Sequence, residues 1–280
     1  MRVQCLAAPI DPLPATAKVP LEAARWRLST LVGLMREAAG SLAGEDTLKL
    51  FLAPELLLTP RGEPISESDY HQLLEEMRQT FSRSQFTGWL LAPGSLCFQS
   101  DGIYCHVAHL FQGGTDNISG VLKQDLDNYD GRSAAKNIVT AWPDHPLAAG
   151  GHPAKRVDDF LAHTGLRIGM EIGGDHRAGL LWSTFASLPQ DQLQIQIVPS
   201  STPALADEEG RILAHTVALN PSGLLLGCCP NQASCAATDA AAQLYQHLGD
   251  GRFRVVQGTG FVSRHGRLIC FPPLNLKPHA

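Results

Sequence analysis

The sequence predicts an α/β fold: two mixed β-sheets packed face to face, each with helices on its outer side, in a four-layer αββα sandwich. Three observations predict it. Short apolar segments and stretches of helical periodicity interleave along the whole chain. The 26 glycines and 19 prolines are spread throughout, as in a chain of many short elements joined by turns. No linker or composition break divides the sequence, so residues 1–280 are read as a single domain.

The elements follow in order. Residues 2–8 form a first strand. Pro20 opens a helix on which Leu28, Leu31, Val32, Met35 and Ala38 recur on one face. Residues 47–53 are a nearly continuous apolar strand. Ser66 or Ser68 caps a second helix, with Leu73, Leu74, Met77 and Phe81 on one side. Strands are expected at 89–92 and 94–98. A hairpin follows, with 103–111 pairing with 118–123 across Gly113–Gly114. The pattern fades into loops between 125 and 155. A second hairpin is expected from 160–162 and 167–172, then a helix over 178–188. Strands at 193–198, 212–219 and 223–227 lead to a helix over 233–248, and three strands between 253 and 270 complete the chain.

Composition excludes several classes. With 22 basic and 27 acidic residues the net charge is −5, so there is no surplus to neutralise a nucleic-acid backbone. A hydrophobic content of 44% excludes general disorder. No apolar run reaches the roughly 18 residues of a membrane span. The first apolar stretch is short and broken by Asp11 and prolines, unlike a secretory signal. Seven cysteines, at 5, 97, 105, 228, 229, 235 and 270, are odd in number and irregular in spacing. Buried thiols in the reducing cytoplasm fit them better than disulfides. Cys228, Cys229 and Cys235 contain no CxxC pair, so no metal site is expected.

Three segments place polar groups just beyond apolar strands, where α/β sheets bind ligands. Glu55 follows the strand ending at Pro54 and is a candidate general base; read alone, it is an exposed loop carboxylate. Lys123 follows 118–122 and is suited to hold an oxyanion; read alone, it is a solvated strand-end lysine. Residues 169–176 run from a strand through Gly173–Gly174 into a helix. Such an elbow normally presents a nucleophile beside helix-start N–H groups, although two glycines also simply make a tight turn.

In this order, Pro54-Glu55, Lys123 and Ile172-Gly173-Gly174-Asp175 resemble the landmarks of the nitrilase superfamily of carbon–nitrogen hydrolases. Their separations of 68 and 50 residues resemble the family's, and flanking strands extend the likeness over nearly the whole chain. The resemblance implies an αββα sandwich, assembly into homo-oligomers, and cleavage of small amides or nitriles without metal or organic cofactor. It assigns proton transfer to Glu55, and oxyanion binding to Lys123 and the N–H of Gly174.

The chain departs from that pattern at the nucleophile, where Gly173 replaces cysteine, so no acyl-enzyme can form at 173. Cys228 and Cys229 are poor substitutes, because the next residue, Pro230, has no N–H for an oxyanion. The family's auxiliary glutamate after the lysine is also missing. Asp127 or Asp130 would stand in with shorter reach, or Glu171 would serve from the strand face of Gly173. Glu171 is equally well read as the partner of Arg167 or His176. Asp175 reads as a helix cap and His176 as structural. A pocket lining is expected from loops near Phe111, Tyr129, Trp142, Trp182 and residues 200–202. Three readings stay open: a hydrolase whose nucleophile was replaced, by design or naturally; a non-hydrolytic binding or regulatory protein; and an enzyme using Glu55 and Lys123 in acid–base chemistry without a covalent intermediate.

Overall fold

Residue alternation sorts the strands into faces that meet different partners. In a computed structural model, residues 1–10, 19–59, 64–100, 103–123, 166–185, 193–201, 205, 212, 216–230 and 241–276 are described. A first sheet contains β1 (Arg2–Ala7), β2 (Thr47–Leu52), β3 (Ile65–Ser66), β4 (Trp89–Ala92), β5 (Ser95–Ser100), β6 (Ile103–Gln112) and β7 (Ile118–Leu122). A second contains β8 (Ile168–Met170), β9 (Leu193–Pro199), β10 (Leu219–Cys228), β11 (Ala242–Gly249) and β12 (Arg252–Val256). The chain then returns to the first sheet as β13 (Thr259–Ser263), β14 (Gly266–Cys270) and β15 (Leu274–Asn275).

Both sheets are mixed. β1, β2 and β4 run parallel, whereas β6 lies antiparallel to β4, β5 and β7. In the second sheet β8, β9 and β10 are parallel and β11 and β12 antiparallel. Val3, Cys5 and Ala7 of β1 join Leu50 and Leu52 of β2 in a core that also holds Ile168, Met170, Ile195, Ile197, Leu224 and Leu226 of the second sheet. The alternate residues Leu6 and Phe51 instead pack under α1 (Pro20–Ala38) and α2 (Glu67–Phe81). On the far side of the second sheet, Leu193, Val198 and Leu225 pack with Leu181 of α4 (Leu180–Phe185). The expected four layers are thus present. Ser66 is the helix cap: its side chain accepts the Asp69 N–H.

Several boundaries differ from expectation. The helix expected over 233–248 is, from Ala242, the strand β11, flanked by β10 and β12; residues 231–240 lie outside the described part. The Ala-rich run favours helix locally, but Leu244 and Tyr245 face opposite cores, as strand neighbours must, and tertiary pairing overrides propensity. Of the strand expected over 212–219, residues 213–215 lie outside the described residues, 216–218 are not strand, and β10 begins at Leu219. The partner of β8 is β9, in parallel; the expected partner at 160–162 lies outside the described residues, as does the whole loop-rich stretch at 125–155. The helix at 178–188 is described only as α4. No disulfide joins the described cysteines, and no described helix is long and apolar enough to cross a membrane.

Ile197 lies at the centre of the inter-sheet core, fully buried on a strand paired on both sides. Ile197→Ala should cost about 2–5 kcal/mol of stability in urea unfolding. A loss below about 1 kcal/mol would contradict this packing.

Candidate functional site

The three predicted segments converge at the ends of β2, β7 and β8. Glu55 follows β2, Lys123 follows β7, and Gly173 follows β8. Lys123 Nζ donates to Glu55 Oε1 at 2.6 Å, with both side chains buried. Glu55 Oε2 accepts the N–H of Ser201 at 2.8 Å, and the Glu55 N–H donates to Ser200 O at 3.2 Å. Two sheets are therefore joined through one carboxylate and its own backbone. Charge-assisted hydrogen bonds of this kind offset part of the desolvation that burial imposes.

The Glu55 turn is strained and held from several directions. Leu56 has φ 59°, unusual for a residue with a branched side chain. Its N–H donates to Ser95 Oγ at 2.8 Å, and Leu58 N–H donates to Ser95 O at 3.2 Å. The buried Arg27 of α1 donates to the carbonyls of Leu57 and Thr59 at 2.6 and 3.3 Å. Gly94 permits the close approach, since a Cβ there would lie 2.4 Å from Pro54 O.

Gly173 sits opposite, with φ 41° and ψ −97°, at the start of the single turn α3 (Gly174–Arg177). Its N–H donates to Pro199 O at 2.9 Å. A Cβ built on Gly173 would lie 2.5 Å from Glu55 Oε2. The carboxylate therefore fills the space that a side chain at 173 would enter. The N–H of Gly174 donates to no described residue.

Two residues missed in the sequence complete the cluster. His106 Nε2 is 2.6 Å from Ser95 Oγ, and His106 Nδ1 is 3.8 Å from Glu55 Oε1. Burial, then the nearby Lys123 ammonium, holds His106 well below the usual imidazole range. A signal was available: 106, 108 and 110 share the face of β6 that meets the second sheet, where Ala108 and Leu110 are apolar and His106 is not.

Glu171 belongs elsewhere. Met170 and Ile172 face the inter-sheet core, while the Glu171 carboxylate meets His176 Nδ1 at 2.7 Å, Gln196 Nε2 at 2.6 Å and the Leu181 N–H at 3.1 Å. His176 Nε2 lies 3.1 Å from Thr216 Oγ1. This buried network supports the α3 turn and carries the structural role expected of His176; the auxiliary role for Glu171 finds no contact with Glu55 or Lys123. Asp127, Asp130, Tyr129 and Trp142 lie outside the described residues. Phe111 is not a pocket residue, because its ring packs on Phe81 under α2. Among the described residues no group of His, Cys, Asp and Glu side chains suits a metal ion.

No protein-family model and no curated protein matches the chain. Solved structures do. Nit3 of Saccharomyces cerevisiae, a member of branch 10 of the nitrilase superfamily, is 12% identical with a TM-score of 0.58, covering 98% of this chain and 90% of its own. A mutant of the amidase from Nesterenkonia sp. AN1, with acrylamide added at its active-site cysteine, is 14% identical with a TM-score of 0.56, covering 97% and 92%. A carbon–nitrogen hydrolase from Helicobacter pylori G27 is 12% identical with a TM-score of 0.54, covering 97% and 88%. At these identities the likeness is one of fold: the αββα sandwich of nitrilase-superfamily carbon–nitrogen hydrolases.

Two predictions follow from burial. Lys123→Met leaves the Glu55 carboxylate buried without its cation and should cost about 3–5 kcal/mol in urea unfolding; a loss under about 1 kcal/mol would contradict the pairing. His109, on the outer face of β6 beside Tyr70, is lowered by burial to about 4. Its folded value lies below the unfolded one near 6.5, so its contribution to stability is complete above about pH 6.5 and lost as pH falls towards 4. His109→Gln should remove about 1.4 kcal/mol per pH unit of the acid-side slope between pH 6 and 5; an unchanged slope would refute this.

Proposed function

We propose that the chain is a non-hydrolytic member of the carbon–nitrogen hydrolase fold. It binds a small amide, nitrile or related ligand at the strand ends without forming a covalent bond to it. One observation carries the reading: the place of a nucleophile's first carbon lies 2.5 Å from the Glu55 carboxylate, on a residue with positive φ. Gly173 has no side chain to carry a nucleophile, and the Glu55 carboxylate fills the space that one would enter. In this reading Lys123 and the Gly174 N–H face the ligand's oxygen or nitrogen lone pair, and Glu55 accepts its N–H. Loss of the covalent nucleophile leaves binding and electrostatic effects only.

The test is Gly173→Cys, assayed for ammonia release from acetamide, propionamide and acetonitrile. The expected result is no turnover by either the wild type or the variant. Turnover by the variant in the ordinary enzyme range of about 1 s⁻¹ or more would overturn the proposal. A second reading, acid–base chemistry on a substrate that supplies its own nucleophile, draws on the 2.6 Å approach of Lys123 to Glu55. If a turnover is found in the wild type, its persistence in Glu55→Gln would end that reading.

A further inference from the structure

Charge is unevenly placed along the chain. Residues 251–280 contain Arg252, Arg254, Arg264, Arg267 and Lys277, and none of the 27 acidic residues. The same stretch supplies β12, an outermost strand of the second sheet, and β13, an outermost strand of the first. β12 pairs with β11, and among the described residues nothing bonds to the main chain of its other edge.

Alternation divides the side chains of β12 into two rows. Val256 enters the inter-sheet core, so Arg254 and Arg252 lie on that face, where the Arg254 guanidinium donates to Gln246, its cross-strand neighbour. Phe253 packs with the outer cluster of that sheet, and Val255, 55% exposed, shares its face opposite Tyr245. Arg252 has Asp250 at 3.9 Å, with both side chains largely exposed, and Arg264 pairs with Glu37 at 3.0 Å. No carboxylate among the described residues pairs with Arg254 or Arg267.

An edge of this kind discriminates between partners. A second β12 laid antiparallel about a two-fold axis sets the arginine rows side by side on one face, and like charges so placed are destabilising. A strand with acidic side chains on one face and apolar ones on the other meets Arg252 and Arg254 with the first, and Phe253 and Val255 with the second. Its main chain completes the hydrogen bonds of the free edge.

We propose that β12 is a docking edge for an extended segment of a partner protein in which acidic and apolar residues alternate. The arginines refuse a second copy of this edge and admit that segment; the added ladder supplies affinity and the two rows supply register. The surface shares no residue with the Glu55 site, and neither reading depends on the other.

The probe is an end-blocked, fluorescein-labelled peptide of alternating glutamate and valine, matched in length to β12, titrated with the full chain and followed by anisotropy. Saturable binding that weakens with salt is expected. A lysine–valine peptide should bind at least about ten-fold more weakly. Arg252→Glu/Arg254→Glu, two exposed positions, should lose at least about ten-fold for the glutamate peptide and gain as much for the lysine peptide. Methylating the peptide nitrogens that face β12 should abolish binding, and the β12 amides should exchange more slowly in the complex. No saturation up to about 1 mM, equal affinity for the two peptides, or binding untouched by N-methylation contradicts the proposal. A wild-type dimer that dissociates in the double variant would give the edge to a second copy, and a single-stranded oligonucleotide that displaces the peptide at lower concentration would give it to nucleic acid; either result overturns it. The comparison of the two peptides on the wild type decides even if the variant fails to fold.

Discussion

The buried contact between Glu55 and Lys123 is the constraint around which the strand ends are arranged. Neither group would be stable alone in an apolar interior. Together with the Ser201 N–H they form a satisfied unit that links the end of β2 to the end of β7 and to the chain after β9. The inter-sheet core beneath supplies the low-dielectric floor; the polar unit sits at its rim, where residues beyond the strands no longer alternate between apolar faces.

Two backbone distortions flank this unit. Leu56, at φ 59°, carries the glutamate, and Gly173, at φ 41°, faces it. Such conformations persist only where surroundings over-determine them. Around Leu56 they do: Ser95, Arg27 and the close approach of Gly94 fix the turn. Around Gly173 the support comes from Pro199 O and from α3, whose His176 is gripped by Glu171 and Thr216. The strand-to-helix elbow is thus built at a residue that carries no side chain. The carboxylate, the lysine and the bare glycine are the groups that the proposed ligand-binding reading uses.

Much of this was legible in the sequence because the relevant residues interrupt simple patterns. Pro54-Glu55, Lys123 and Gly173–Gly174 each break an apolar run, and strand ends are where ligands meet α/β sheets. His106 was not found because it lies inside a strand, where sequence gives the face only after register is known, and Ser95, at the start of β5, was given no role of its own. Cys97 pairs with His106 and Ser95 with Ala108, a diagonal relation that no local pattern reveals. β11 was misread because an alanine-rich approach suggests helix, while its strand character comes from β10 and β12, neither of which it can specify alone. The roles of Glu171 and His176 stayed open in sequence because the same strand spacing serves either the site or the α3 network; only the third partner, Gln196, decides.

The most direct measurement of the central claim is a double-mutant cycle on the buried pair, with Glu55→Gln, Lys123→Met and both together compared in urea unfolding. If the two charges meet, the double variant should be more stable than Lys123→Met alone, because removing the carboxylate's charge relieves the unpaired burial. Strict additivity of the two substitutions, within about 0.5 kcal/mol, would show that the groups do not interact and would contradict the account.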